Sequence, residues 1–496
     1  TETFTTIPTF EHLDKEQFEI ILYAPNVNGH PLEQYCQSRA DKLVKLPSDL
    51  PNQVNTIRAD DLDILLIGTN VTALSNSITL LALHRLARVQ VTSVSSYVTT
   101  GMRNIDYYIS GTLTEPEAEA QAQYQEKLIT LDSPAHCLNY YAIPPEISTV
   151  KPTRSSWGAT DESVVFISGA NFYKIIPEIR ETWAKILAKV PNSILVLYPF
   201  NPNWSNQYPA AIHFINNLRA VFAKYGIAPN RLTVIKPLPS RADIKECLKM
   251  GDVYLDSYPF SGVNSLFDPL EVDLPPVVMD GNSFRSLMAP ALLRDLEIPD
   301  LIADSEESYI NLAINLATNP ELRQQKRAEI NQKMQNNPRF LDSRDYSAQM
   351  GEVFQTLWQE WQKANAEQPT LSSDTAANQL LEQPLDSPQF IKLVNGCLNL
   401  YEIDPSDESV LAELRSFRQR LADFWLNLPP EQLETFYLGN VGKAHQLLAK
   451  SDFKQEPLTE SERIFGDDLS VNLVKGFDDP KAINYRLVAM LYPLDN

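Results

Sequence analysis

Short apolar runs alternate with stretches of helical spacing over the first 150 residues. Strands of a parallel sheet are buried on both faces, so near-continuous apolar runs are expected for them. Five runs fit this description, at residues 18–24, 63–68, 88–94, 105–110 and 127–131, and residues 73–85 have the spacing of a helix. The pattern predicts an α/β lobe over residues 1–150.

A stretch rich in Pro, Ser and Thr at residues 143–157 interrupts the alternation, which then restarts. Apolar runs predict strands at residues 163–168, 193–198, 231–236, 253–257 and 276–279. Helical spacing predicts helices at 177–189, 210–225, 241–249, from about 264, 283–296, 306–318, 320–334 and 345–364. This alternation is typical of a doubly wound sheet, so both segments are expected to be Rossmann-like lobes, the second over residues 151–366.

The end of the chain differs in composition. Residues 367–388 are rich in Gln, Ser, Thr and Pro and predict a linker. Residues 389–496 have helical apolar spacing, which predicts a separate all-α domain. The sequence shows no role for this domain beyond a possible protein partner.

Two Rossmann-like lobes in series indicate where a ligand binds. An open α/β sheet binds ligands beyond the carboxyl ends of its strands, so two lobes that face each other enclose a cleft. This α/β arrangement, called GT-B, is the predicted fold class, with the all-α domain attached at its end.

Charge, hydropathy and cysteine content indicate which partners and which compartment to expect. The chain has 42 Lys and Arg against 63 Asp and Glu, a net charge of −21, whereas a nucleic-acid-binding face needs an excess of basic residues. No apolar run approaches the ~18–20 residues of a membrane span. The four Cys are scattered without a CxxC pair, which predicts free thiols in a reducing compartment. We therefore expect a cytoplasmic protein with neither a nucleic-acid partner nor a membrane span.

Familiar cofactor and metal motifs are absent from the sequence. The 16 Gly form neither GxGxxG nor GxxxxGK[ST], so dinucleotide and P-loop sites lose their main support. The six His lack metal-ligand spacing. The acidic triplet Asp60, Asp61 and Asp63 precedes a strand, which places it at the wrong sheet edge for a ligand. We expect no metal site.

Polar residues gather where the predicted strands of the second lobe end. Residues 169–177, GANFYKIIP, join a strand to a helix, where free N–H groups and the positive end of a helix dipole favour an anion. Asn171 and Lys174 belong to this junction, and the Lys174 ammonium suits a diphosphate as a point charge. The alternative for Lys174 is a solvated loop lysine.

Arg241 is a second cation at a strand-to-helix junction, after the predicted strand 231–236. It stands at a helix start, where the dipole disfavours a cation, so a ligand-facing role gains weight over helix stabilisation. The alternative is a surface ion pair with Asp243 or Glu246.

The segment DSYPFSGVNSLFD, residues 256–268, is the most informative of the second lobe. Asn264 and Ser265 supply caps and donors at a helix start, and Gly262 lets backbone approach a ligand. Asp268 lies on the same side of that helix as Asn264, where a carboxylate accepts hydrogen bonds from ribose hydroxyls. A capped helix with an exposed Asp is the alternative. Because three such clusters follow strands of one sheet, we expect them to converge on one pocket.

The first lobe offers fewer candidates. Thr99, Thr100 and Gly101 follow a predicted strand and are expected to line the cleft. His136 follows the strand 127–131, and its role stays open between a structural histidine and a ligand.

From residue 1 to about residue 364, the sequence resembles glycosyltransferase family 41, which contains protein O-GlcNAc transferases and soluble bacterial N-glycosyltransferases. In that family, a Lys before an apolar-x-Pro segment contacts the donor diphosphate, and it falls on Lys174 in FYKIIP. A basic residue after a Pro-containing turn falls on Arg241, where the family shows Lys or His. The segment VTTGMRNIDYYISG, which contains Thr99 to Gly101, resembles the family's acceptor-side wall.

The family's phosphate-binding and ribose-binding segment falls on SGVNSLFD, which implies donor contacts for Asn264, Ser265 and Asp268. Val263 departs from the family, which has His or Thr there. The family's first strand and active-site His would lie before Thr1. Since the N-terminus TETFTTIPTF has no Met and no signal-peptide pattern, we expect the chain to begin inside a longer protein.

The resemblance implies an inverting, metal-independent glycosyltransferase that moves a sugar from a UDP-sugar to a Ser, Thr or Asn side chain of a protein. It implies no cofactor beyond the donor substrate, and Lys174 as the catalytic cation. Three alternatives stay open: a UDP-sugar epimerase, a nucleotide-sugar-binding module with a degenerate site, and a scaffold that acts through its helical tail.

Overall fold

The computed structural model describes residues 2–72, 76–116, 120–199 and 209–366. The predicted linker 367–388 and all-α domain 389–496 lie outside the described residues. All the sheets below belong to one compact unit, Thr1–Ala73 with Ser77–Gln362. None of the helices in the described ranges is both long enough and apolar enough to cross a membrane.

The first lobe has a four-stranded parallel sheet, with a two-stranded parallel sheet before it. Its strands are β1 (Ile21–Ala24), β2 (Lys42–Lys45), β3 (Ile64–Ile67), β4 (Val89–Thr92), β5 (Tyr107–Gly111) and β6 (Lys127–Leu131). Its helices are α1 (Glu2–Thr6), α2 (Pro31–Arg39), α3 (Leu50–Ala59) and α4 (Ser77–Ala82). The larger sheet has the order β3-β4-β5-β6, so each strand pairs with the next one in sequence.

Four elements of the first lobe were not predicted: α1, β2, α2 and α3. The strand β2 is short and ends in exposed lysines, so it has no apolar run. The helix α2 buries only Leu32 and depends on a capping box between His30 and Glu33, which a periodicity search does not detect.

The second lobe has a six-stranded sheet with the order β12-β11-β10-β7-β8-β9, in which every pair is parallel. Its strands are β7 (Val164–Ser168), β8 (Ser193–Leu197), β9 (Leu232–Val234), β10 (Val253–Leu255), β11 (Pro276–Met279) and β12 (Ile302–Ala303). Its helices are α5 (Pro177–Lys189), α6 (Pro209–Lys224), α7 (Arg241–Leu248), α8 (Asn264–Glu271), α9 (Phe284–Asp295), α10 (Glu306–Thr318) and α11 (Pro320–Gln335). The doubly wound pattern predicted from the sequence is confirmed, and only the two-residue β12 was missed.

Short 3₁₀ helices complete the described chain. They span Ile7–Thr9, Ala120–Gln123, Tyr140–Ala142, Arg154–Trp157, Phe172–Lys174, Pro229–Arg231, Pro299–Leu301 and Arg339–Leu341.

The second sheet is the centre of the largest core. The inner residues of β7, Val165, Phe166 and Ile167, are fully buried, and Trp183 of α5 packs within the same cluster. Both faces of these strands are covered by helices, which is why they are continuous apolar runs.

The last described helix, α12 (Ser343–Ala366), returns to the first lobe. Its buried residues pack against β4 and β5, in a cluster that contains Tyr346, Met350, Phe354, Leu357, Val89, Val91 and Ile109. From the sequence we assigned residues 345–364 to the second lobe, and this assignment is wrong because the helix packs on the sheet of the first lobe. An apolar stripe shows that a helix is packed, but it does not show on which sheet.

The strand order of the second sheet locates its crevice. From β7 the chain proceeds through β8 and β9 to one side, and β10, β11 and β12 extend the sheet on the other. The order therefore reverses between β7 and β10, which is where an open α/β sheet binds its ligand. The loops that follow these two strands are the ones that contain Lys174 and Gly262.

Candidate functional site

The loop after β7 is shaped by close packing. A Cβ on Gly169 would lie 2.2 Å from the hydroxyl of Tyr198, so only glycine fits at the end of the strand. Asn171 then caps the short helix Phe172–Lys174 by accepting a hydrogen bond from Tyr173 N at 3.1 Å. The predicted ligand Asn171 therefore also has a local structural role, which is to start the turn that presents Lys174.

Lys174 is directed into the crevice and not into solvent. Its Nζ donates to the carbonyl oxygen of Ser261 at 2.9 Å and lies 3.8 Å from the centre of the Phe260 ring. Burial lowers the pKa of Lys174 to about 8, against the opposing charge of Asp256. The alternative of a solvated loop lysine is thus wrong, and the ammonium is a cation already freed from most of its water.

The loop after β10 is held rigidly around Gly262. Both carboxylate oxygens of the fully buried Asp256 accept from Gly262 N at 3.1 Å. Burial raises the pKa of Asp256 to about 6, although this hydrogen bond and the Lys174 charge oppose the shift. A Cβ on Gly262 would lie 2.4 Å from Ser265 Oγ and 2.9 Å from Asp256 Oδ1. Glycine is therefore required here, as the sequence predicted, because of neighbours that the sequence did not reveal.

Ser261 anchors this loop to α9. Its backbone N and its hydroxyl both donate to the carbonyl oxygen of Arg285 at 2.9 Å, and the hydroxyl accepts from Ala289 N at 3.1 Å. The carbonyl group of Ser261 therefore has a fixed orientation, which in turn orients the Lys174 ammonium.

The N-terminus of α8 faces the same crevice without a cap. Val263 is its N-cap residue and is buried, and no side chain accepts from the first-turn N–H groups. The prediction that Asn264 or Ser265 caps this helix is wrong. Asn264 Oδ1 is instead buried without a partner among the described residues, and Ser265 is hydrogen-bonded to Tyr254. An uncapped helix start with a positive dipole end is suited to an anion.

Asp268 and Arg241, which are distant in sequence, form one ion pair. Arg241 Nε donates to Asp268 Oδ1 at 2.5 Å, and its other donor engages Glu271. Burial raises the pKa of Asp268 to about 6, against the nearby guanidinium. The alternatives of an exposed Asp268 and of an Arg241 pair with Asp243 or Glu246 are both wrong.

The guanidinium of Arg241 also contacts aromatic rings. Its central carbon lies 3.6 Å from the ring centre of Tyr140 and 4.8 Å from that of Phe267, and these two rings stack on each other. Two of its nitrogens and part of its surface are therefore occupied by protein. A direct contact from Arg241 to a donor phosphate stays a prediction, and its visible role is to orient Asp268.

On the first-lobe side, Thr99 and Thr100 are fastened to a buried carboxylate. Glu126 accepts from Thr99 Oγ1 at 2.6 Å, from Thr100 N at 2.8 Å and from the Thr100 hydroxyl. Gly101 follows with a φ of +64°, in the left-handed region that favours glycine. The hydroxyls of both threonines are thus turned towards Glu126, and their predicted acceptor-side role stays a prediction.

Two contacts link the lobes beside Lys174. The ring of Tyr97, in the segment before Thr99, lies 5.2 Å from the ring of Phe260. His136 packs against Phe284 with ring centres 5.8 Å apart, and only 4% of it is exposed. Burial and the Lys174 charge lower the pKa of His136 to about 3, so its imidazole is neutral.

The acidic triplet is engaged elsewhere. Asp60 accepts from Tyr23 at 2.5 Å and from Lys42 at 2.6 Å, and Arg88 pairs with both Asp61 and Asp63. Across the described ranges, His, Cys, Asp and Glu nowhere form a group of three that would hold a metal ion.

Sequence reasoning missed several residues of the crevice, including Asp256, Phe260, Glu271, Tyr140 and Glu126. Asp256 had a detectable signal, since an Asp directly after a buried strand lies at the ligand edge of the sheet. The aromatic residues had none, because nothing in their local pattern distinguishes a cation's partner from a core residue.

Comparison with known proteins agrees with this geometry. Residues 142–350 match the family model of glycosyl transferase family 41. The probable UDP-N-acetylglucosamine–peptide N-acetylglucosaminyltransferase SPINDLY of Eustoma exaltatum subsp. russellianum is 27% identical over 82% of this chain and 43% of its own length. The similarly named SPINDLY protein of Arabidopsis thaliana is 28% identical over 71% of this chain and 37% of its own length. The chain thus spans less than half the length of these relatives.

A solved structure resembles the described lobes. A mutant of the Thermobaculum terrenum O-GlcNAc transferase superposes with a TM-score of 0.62 at 22% identity, covering 73% of this chain and 66% of that protein. The similarity confirms the predicted GT-B arrangement of the two lobes. Residues 142–350 are thus similar to glycosyl transferase family 41, the family that the sequence indicated.

Proposed function

We propose that this chain carries the donor-binding half of an inverting, metal-independent glycosyltransferase that moves a sugar from a UDP-sugar to a protein side chain. The names of its curated relatives, probable UDP-N-acetylglucosamine–peptide transferases, support a UDP-sugar donor and a peptide acceptor. The acceptor atom is a Ser or Thr hydroxyl or an Asn amide nitrogen.

The observation that carries the proposal is the convergence of Lys174, the uncapped start of α8 and Asp268 at one strand-order reversal. A diphosphate fits between the ammonium and the free N–H groups, since both offer positive charge. The ribose hydroxyls then fit Asp268, whose second oxygen, Oδ2, has no hydrogen bond from the described residues.

The chemistry follows from where charge develops. As the acceptor atom attacks the anomeric carbon from the face opposite UDP, the bond to the diphosphate oxygen breaks and that oxygen gains negative charge, while the acceptor atom releases its proton to solvent. On this proposal, Lys174 and the start of α8 lie beside this oxygen, and because the fold already holds them in place they stabilise the leaving group with little reorganisation. These groups supply the positive charge that a divalent ion supplies in other transferases, which is why we propose metal independence.

We also propose a cytoplasmic location. Cys36, Cys137 and Cys247 are free, and Cys137 and Cys247 are buried, as expected for thiols in a reducing compartment. This location is also where UDP-sugar and a cytoplasmic acceptor protein would meet.

Calorimetric titration of UDP onto the wild type, Lys174→Met and Lys189→Met tests the site. Lys189 is an exposed lysine at the far end of α5, so its loss is the matched control. Removing a charge-assisted bond of ~1.5–3 kcal/mol weakens UDP about ten- to a hundredfold in Lys174→Met. Equal affinities in all three proteins would refute the site.

Transfer itself is tested by incubating the protein with UDP-sugars and candidate acceptor proteins. Intact mass should rise by one sugar residue, and EDTA should not reduce the rate. Conversion of the UDP-sugar to an isomer without an acceptor would instead indicate an epimerase. UDP binding without any transfer or conversion would indicate a degenerate binding module.

A further inference from the structure

His136 is a buried histidine that lies between the two lobes and that the proposed mechanism does not use. The backbone around it is fixed from several sides. Ala135 N donates to Thr114 Oγ1 at 2.9 Å, Ala135 O accepts from the Tyr346 hydroxyl at 3.0 Å, and Leu138 N donates to Phe340 O at 2.9 Å. The position of the imidazole is therefore set by the fold and not by a flexible loop.

A short chain of contacts connects His136 to the donor crevice. Its ring packs on Phe284, the first residue of α9. The next residue, Arg285, accepts both hydrogen bonds from Ser261, and Ser261 accepts the hydrogen bond from Lys174. The Lys174 charge is close enough to His136 to depress its pKa. A first-lobe imidazole thus packs on the helix that anchors the carbonyl group to which Lys174 donates.

The hydrogen-bonding capacity of His136 is unused. Neither ring nitrogen has a partner among the described residues. A neutral imidazole has one N–H donor and one nitrogen acceptor. A satisfied core histidine would have a protein partner for at least one of them.

We infer that His136 is a sugar-binding residue, which contacts hydroxyl groups of the transferred sugar from the first-lobe side. The inference rests on the proposed function. The sugar is bonded to the phosphate that Lys174 is proposed to hold, so it lies near that ammonium. His136 is the first-lobe imidazole that packs on Phe284, beside the residue that anchors the Ser261 loop. One donor and one acceptor in a rigid ring match two neighbouring hydroxyls of a hexose, one accepting and one donating.

The ligand class is therefore a nucleotide sugar whose hexose has adjacent free hydroxyls, and UDP alone does not reach His136. Substitution of His136 should accordingly affect sugar-containing ligands and leave UDP unaffected. A purely structural histidine would instead alter both ligands together, through the shape of the crevice.

The test is calorimetric titration of UDP, UDP-glucose and UDP-N-acetylglucosamine onto the wild type and His136→Phe. Phenylalanine keeps a ring against Phe284 and removes both hydrogen-bonding nitrogens. The control is His84→Phe, since His84 is equally buried but precedes β4 and so lies at the opposite edge of the first sheet. Loss of a neutral hydrogen bond weakens a UDP-sugar about two- to tenfold.

We expect His136→Phe to lower the affinity for at least one UDP-sugar by this factor and to change the affinity for UDP by no more than about twofold. The control His84→Phe should change neither affinity. If His136→Phe weakens UDP and UDP-sugars equally, or weakens neither, the inference about His136 is wrong. The nucleotide site is still upheld in that case, provided that the wild type binds UDP. Failure of the wild type to bind UDP at all would overturn the proposed function as well.

A second measurement covers the case in which His136→Phe does not fold. The chain has six His, so nitrogen-15 spectra of histidine-labelled wild type resolve the individual rings. The His136 ring signals should shift with UDP-glucose or UDP-N-acetylglucosamine beyond any shift produced by UDP. Identical spectra with UDP and with both sugars contradict the inference.

Discussion

Donor binding should depend on pH through Lys174. Its pKa in the unliganded protein is lowered to about 8, because burial penalises the charged ammonium. A bound diphosphate adds negative charge beside this ammonium and so favours its protonated form. Binding therefore requires a proton on Lys174, and affinity must fall as the pH rises through about 8.

The magnitude follows from this value. About nine-tenths of Lys174 is protonated at about pH 7 and about one-tenth at about pH 9, so the apparent Kd rises about tenfold over this interval. At about pH 8, binding takes up about half a proton. Asp256 and His136, the titratable groups that interact with Lys174, have pKa values of about 6 and about 3 and do not change charge in this range.

The assay is calorimetric titration of a UDP-sugar at several pH values, in buffers of different ionisation enthalpy, so that proton uptake is measured directly. A UDP-sugar is preferable to UDP because its diphosphate has no terminal phosphate that titrates near neutrality. Lys174→Arg is the control, since its guanidinium stays charged from about pH 7 to 9. Any loss of affinity that this variant still shows at high pH comes from deprotonation of the uracil ring of the ligand. Constant affinity from about pH 7 to 9, together with no proton uptake at about pH 8, would refute the reasoning.

Three further outcomes are expected. Asp268→Asn weakens UDP about tenfold or more, because charge-assisted bonds to ribose are lost, while calorimetry with inorganic pyrophosphate shows an unchanged affinity; a parallel loss of pyrophosphate would contradict this assignment. Gly262→Ala places a Cβ 2.4 Å from Ser265 Oγ, so the loop shifts and UDP affinity falls at least about tenfold, with unaltered affinity as the contrary result. Glu126→Gln lowers the free energy of unfolding in urea by about 1.5–3 kcal/mol, since a buried acceptor of three hydrogen bonds loses its charge; a stability equal to that of the wild type would count against it.

Much of the candidate site could be predicted because strand ends are visible in the sequence. The apolar runs 163–168 and 253–257 end at β7 and β10, and the polar segments that follow them meet at the reversal of strand order. Lys174 and Gly262 were found for this reason. Their neighbours across the crevice were not, since Phe260 and Tyr97 meet only when two lobes pack together.

Local rules failed where a tertiary partner overrode them. Asn264 stands where a helix cap is expected, yet no side chain caps this helix, and only the third N–H group, that of Leu266, is satisfied locally, by the carbonyl oxygen of Val263. Arg241 was expected to face a ligand, with an ion pair in its own helix as the alternative, but Asp268 and Glu271 on the adjacent α8 offer two buried carboxylates. A buried carboxylate stabilises a guanidinium more than an exposed one does, because water screens it less.

The sequence alone determined the alternation of strands and helices, the doubly wound lobe and the anionic-ligand character of its strand ends, since each depends on residues close together in the chain. The tertiary structure decided the rest. It placed α12 on the first lobe, paired Arg241 with Asp268, and packed His136 against Phe284 of the second lobe. These outcomes depend on which surfaces exclude water together, and residues far apart in the chain acquire their pKa values and partners only when that packing is complete.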